Sequence, residues 1–223
     1  MGGEKSMSKN SSSSDRRNRS NGFLLINNSK ALKNIKMYIR LLNAGGILRR
    51  YFIMNGFDGI MTVMGIIMGS YITHSINPKF IVGASIGASI AMGISGFVGA
   101  FITERAERIK EIKDLERSLF TSLEDSVLKQ AVDIVTVLAA LIDALAPMLF
   151  SLISVMPFML AICSIISLEL AMLIAIVLIS ILLFSLGAFL ARISDENVLK
   201  YGLYMLISGL LISVIGVFLE ILL

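Results

Sequence analysis

Cysteine and histidine are almost missing from this chain of 223 residues, which has one of each, Cys163 and His74. A lone cysteine excludes a disulfide within the chain. One Cys and one His exclude a Cys/His metal cluster. Metal chemistry would therefore have to use carboxylates, methionine sulfur, asparagine or backbone carbonyls. The polar/apolar alternation of a membrane barrel is also absent, and helices are the other way to satisfy a backbone in lipid. The first 30 residues lack the apolar stretch and small-residue cleavage site of a signal peptide. They include "KNSSSSDRRNRSNG", too polar to bury a core, and are expected to form a disordered basic tail.

What the chain does have is apolar length. Hydrophobic residues make up 56% of it and the mean hydropathy is +0.82, against about 45–50% apolar in soluble domains. They fall in blocks of about 20 or more, the length that crosses a roughly 30 Å hydrocarbon core as helix. The pattern predicts an all-α integral membrane protein with five transmembrane helices, near 51–73, 80–103, 135–160, 166–191 and 199–222. Residues 1–30 form the tail and 51–223 the membrane domain. Between them, 31–50 place Leu32, Ile35, Ile39 and Leu42 at helical spacing with Lys33, Lys36 and Arg40 interleaved. Such a basic amphipathic helix lies either on an anionic membrane face or against the protein's own cytoplasmic side.

Positive charge is scarce on one side of this arrangement. Nineteen of the twenty Lys and Arg fall in the leader, in the charged segment 104–129, or at Arg192 and Lys200; Lys79 alone falls across the membrane. The positive-inside rule then puts the N-terminus in the cytoplasm and the C-terminus outside. The same bias accounts for the pI of 9.3 and removes any reason to invoke nucleic acid. The expected location is the cell membrane, or an organelle membrane in a eukaryote.

Carboxylates inside a span are costly and mark functional candidates. Asp58 lies in "FIMNGFDGIMTVMGIIMG" between Gly56 and Gly59, and Asp143 lies four residues before Pro147. A proline there leaves the carbonyl of residue 143 without its helical donor. Asn55 and the thioethers Met61 and Met92 are candidate neighbours of a soft divalent ion, although Met in an apolar helix is usually packing. Glu169 and Glu220 belong nearer the interfaces, Asp133 among cytoplasmic head groups, and His74 in an outer turn. Glu104, Glu107, Glu111 and Asp114 recur at three- and four-residue steps, so on a continuing helix they share a face and form a candidate cytoplasmic metal-capture set. Arg105, Arg108, Lys110 and Lys113 alternate with them, and a solvated helix laced with ion pairs has the same composition. Small residues spaced by four in the second span, with Gly56, Gly59, Gly96 and Gly99, imply close helix packing and a possible dimer seam.

Four patches carry a resemblance. "LRRYFIMNGFDGIMTVMGIIMG", "SGFVGAFITERAER", "FSLISVMPF" and "LGAFLARISDENVLKYGLYMLISGLLISVIG" resemble, in order, successive spans of the vacuolar iron transporter family, over roughly residues 48–223. The resemblance implies a five-helix protomer, a homodimer and proton-coupled export of Fe²⁺ or Mn²⁺ as substrate, with no permanently bound cofactor. The family's intramembrane Asp corresponds to Asp58. Its second-span Met and Glu correspond to Gly96 and Ala100, and its third-span Gly to Ile153. Asp143 has no counterpart and is a candidate replacement for a lost second-span ligand. The other reading is a membrane scaffold whose charged 104–126 helix binds a partner. No Ser-His pair, His cluster or paired-acid motif points to an enzyme.

Overall fold

The computed structural model describes residues 33–74, 76–123 and 126–222, except the side chains of 219, 220 and 222. The tail, Leu32 and the Glu220 side chain thus lie outside the described residues. The described chain is helical: α1 covers 33–41, followed by α2 Gly45–Ile72, α3 Pro78–Leu119, α4 Val127–Ile162, α5 Leu168–Ile193 and α6 Val198–Leu222. The last five are long and apolar enough to cross a membrane.

Start signals are local. Asn77 caps α3 by accepting from the Lys79 amide, with Pro78 at the first position. Ser126 and Ser167 cap α4 and α5 by accepting from the amides of Lys129 and Leu170. Side-chain oxygens there satisfy amides that have no helical partner. Glu169, an interfacial candidate, sits exposed in the first turn of α5, where a negative charge complements the helix dipole.

Stop signals are unusual. Asn43, His74, Phe120, Ser164 and Asp195 take positive φ just past helix ends, whereas no described glycine does. Several of the described glycines serve close approach instead. A Cβ on Gly59 would lie 2.5 Å from the Pro147 carbonyl oxygen, and one on Gly56 would lie 2.7 Å from the Phe150 ring. A Cβ on Gly187 would strike the Tyr201 carbonyl. A Cβ on Gly99 would meet nothing within 4 Å in the single protomer.

Two boundaries differ from the sequence expectation. The helix expected over 31–50 is divided by a turn at 42–44, with Asn43 at φ 48°, and residues 45–50 belong to α2. Tyr38 and Ala44 pack on Ala131 and Val135 of α4, with Ile39 and Leu42 alongside. Of the two placements open to this segment, its apolar side therefore takes the protein's own surface. The second span does not stop at 103. It runs on as one 42-residue helix, about 63 Å long, roughly twice what a bilayer core needs.

Helices α2 and α4 run parallel, with α3 antiparallel and closely packed against α4. Helices α5 and α6 form a second close pair leaning on α4 and α2. The apolar core includes Ile60, Val63, Ile67, Ile81, Val155, Phe158, Ile179 and Leu183. It fills the half of the bundle away from the α3 extension. Toward that extension the interior becomes polar.

Candidate functional site

That polar interior is built around Asp143. Its side chain is buried, and Asn55 on α2 donates an amide hydrogen from Nδ2 to Asp143 Oδ1. The same Nδ2 donates to the Tyr51 carbonyl at 3.0 Å, which fixes the amide orientation. A Cβ at position 96 would lie 2.6 Å from Asp143 Oδ2 and 3.3 Å from its main-chain oxygen. Gly96 thus leaves room for the carboxylate and for the carbonyl that Pro147 deprives of its helical donor. The oxygens of one residue face the same gap.

Asp58 is close enough for its charge to act on Asp143, yet it faces elsewhere. It is exposed on the bundle surface, because Gly56 and Gly59 turn the other side of α2 onto α4. The two acids therefore do not share an enclosed pocket. Thr62, one turn along, donates to the Asp58 carbonyl at 2.7 Å and lies 3.5 Å from Met92 Sδ. Met92 thus lies beside Thr62, one turn from Asp58, while Met61, three residues along from Asp58, is partly buried against the apolar core.

The candidate capture acids are not gathered into one open cluster. Glu104 is 3% exposed. It accepts a hydrogen bond from Tyr51 Oη at 2.9 Å and pairs with Arg108 Nε at 3.6 Å. Arg108, itself buried, reaches Glu111 at 3.4 Å. Asp114 pairs with Arg117 on the surface at 3.7 Å, and Glu107 is exposed. Arg108 turned inward separates the carboxylates, so the ion-pair reading of this segment describes its inner face. Among the described residues no three His, Cys, Asp or Glu side chains converge on a metal-sized site. Asp133 is exposed near the start of α4, and His74 is exposed in the turn after α2.

These contacts form a polar column. Gly96 faces Asp143, and Arg108 shares a cavity of about 310 Å³ with Val132, Glu111 and Asn43. Those two levels set the antiparallel register of α3 on α4, and the same offset brings Thr136 level with Glu104. Among the described residues Thr136 Oγ1 and Arg108 Nη2 are buried without a hydrogen-bond partner, and such groups are costly unless solvated. The column thus runs from the cavity through Arg108, Glu104 and Tyr51 to Asn55 and Asp143. Sequence reasoning missed Tyr51, Arg108 and Thr136. Tyr51 and Arg108 carried a faint signal as polar groups that become inward-facing once the helices extend beyond the apolar blocks.

No family model matches this chain and no solved structure matches it. The chain is similar to an uncharacterized protein of Methanocaldococcus jannaschii, 29% identical over 191 residues, which span 84% of this chain and 96% of the relative. The likeness spans most of both chains rather than a single motif.

Proposed function

We propose that the protein is a divalent transition-metal transporter for Fe²⁺ or Mn²⁺, exporting the ion from the cytoplasm in exchange for protons. The observation that carries the reading is the Asp143 carboxylate and proline-freed carbonyl in the gap left by Gly96, beside Asn55 and within electrostatic reach of Asp58. Oxygen donors of this kind suit borderline divalent cations. A carboxylate in a desolvated setting can exchange a proton for a cation. The cavity at Arg108 and Glu111 would be the cytoplasmic mouth, and Asp58 the exchange site farther along. The resemblance to vacuolar iron transporters supports the same assignment.

A homodimer accompanies this reading. Asp58 opens on the membrane-facing surface, where an uncovered carboxylate is costly. On α3, Gly83, Gly87, Ala91, Ser95, Gly99 and Thr103 are all exposed and spaced by four. Stripes of this kind let membrane helices approach closely. A second copy on this surface would shield Asp58 from lipid.

A scaffold role for the α3 extension is the other reading, favoured by the 96% exposure of Phe120 at its end. Metal flux in proteoliposomes separates the two. Under an imposed pH gradient, Fe²⁺ or Mn²⁺ should move faster than Ca²⁺, with Co²⁺ and Zn²⁺ completing the series. Liposomes no more permeable than protein-free controls to all five ions would leave the scaffold reading standing.

A further inference from the structure

A groove of about 670 Å³ opens between α2, the end of α5 and the start of α6, a size typical of ligand sites. It is separate from the polar column. Arg49 and Arg50 stand at its mouth, and Met54 and Phe57 continue the same wall. From Arg49 to Phe57 the wall descends about 12 Å along the helix. Tyr204 of α6 faces it, 63% exposed, with Met54 at 57%. Cations at the top and an apolar floor below match an amphiphile standing upright in one leaflet.

Among the described residues neither Arg49 nor Arg50 joins an ion pair; Arg50 only lies over the Tyr51 ring at 5.8 Å. Tyrosine at this level is typical of the head-group zone. A partner helix would present a long apolar face but nothing for two guanidiniums. We infer that this groove binds an anionic phospholipid, its phosphate held by Arg49 and Arg50 and one acyl chain lying over Met54 and Phe57. Guanidinium is suited to this, because its planar donors match phosphate oxygens. The inference does not depend on the transport reading.

The chain has no tryptophan, so Tyr204→Trp supplies a single reporter in the groove of the full-length protein. Quenching by dibrominated phosphatidylglycerol and dibrominated phosphatidylcholine in mixed vesicles gives their relative affinity. The expected preference for the anionic lipid is of order tenfold. At a control reporter, Leu141→Trp on the exposed side of α4, it should be near one. Adding Arg49→Gln and Arg50→Gln should bring the groove value within about twofold of the control. Quenching by phosphatidylcholine should persist in that variant, showing that the groove still forms. Soluble glycerol phosphate should not compete. The inference fails if the groove shows no preference or if the preference survives loss of both arginines. It also fails if glycerol phosphate abolishes the preference, which would indicate a free-phosphate site. A reporter quenched by neither lipid would mean that protein, such as a second copy, covers the groove, and that also overturns it.

Discussion

Replacing Gly96 with alanine adds one methyl group where the structure has no room for it. The new Cβ would lie 2.6 Å from Asp143 Oδ2, where ordinary contact begins at 3.4 Å, so the carboxylate must retreat by about 0.8 Å. Retreat pulls Oδ1 from the Asn55 amide or pushes α3 from α4. Overpacking of this kind costs roughly 1–3 kcal/mol, while alanine recovers about 1 kcal/mol of helix propensity. Stability should therefore change little, falling by at most about 2 kcal/mol. Flux should change far more, because oxygens displaced by nearly an ångström no longer converge on an ion; a loss of roughly tenfold to a hundredfold is expected by analogy with misplaced catalytic groups. Gly99→Ala is the matched control: it lies on the same helix, its Cβ meets nothing within 4 Å, and alanine keeps the α3 stripe small. Thermal unfolding and metal flux should be measured on both purified variants. A Gly96→Ala protein with wild-type flux would show that the position of the Asp143 carboxylate is immaterial to transport.

Asp58→Asn should leave a folded protein that no longer couples metal movement to a pH gradient, because the amide keeps size and hydrogen bonding but neither charge nor exchangeable proton; a variant with wild-type coupling would remove Asp58 from the mechanism. Glu104→Ala should destabilise by roughly 1–3 kcal/mol, since it takes an acceptor from buried Arg108 and from Tyr51 while Glu111 still pairs Arg108, whereas Glu107→Ala on the exposed side should stay within about 0.5 kcal/mol; similar losses of thermal stability for both would contradict the inward placement of Glu104. Tyr51→Phe should cost about 1.5–3 kcal/mol by removing a hydrogen bond to a charged group, and an unchanged unfolding midpoint would argue against that bond. With the N-terminus inside, exposed Cys163 should react with an impermeant thiol reagent in intact cells, and a cysteine moved to Phe120 in a Cys163→Ser background should not; the reverse pattern inverts the topology.

The five-helix architecture could be read in the sequence because membrane spans are set by the length and hydropathy of consecutive residues, which need no knowledge of neighbours. The small residues at 56, 59 and 96 were legible for a related reason, since a missing side chain permits close approach whatever the partner. The partners were not legible. The resemblance offered Asp143 as a replacement for a second-span ligand lost at Gly96 or Ala100, but no local pattern near Gly96 names it as the neighbour; the two meet because α3 and α4 pack antiparallel in one register. Hydropathy also misjudged where helices end: it drops at Glu104, but backbone hydrogen bonding continues to Leu119 in a stretch too polar to register as a span. The same drop made Glu104 look like one more solvated capture acid and Arg108 like its surface counter-charge, because a charged residue on a helix of unknown rotation looks solvated; only packing against α2 and α4 turns this pair inward while leaving Glu107 outside. Asp58 shows the converse. As a carboxylate mid-span it stood out as a functional candidate, but its exposure on the bundle surface depends on Gly56 and Gly59 claiming the other side of α2. Composition and periodicity thus determined which segments are long and apolar enough to cross a membrane and which groups would be costly there, whereas helix rotation and register, set by long-range packing, decided which of those groups meet.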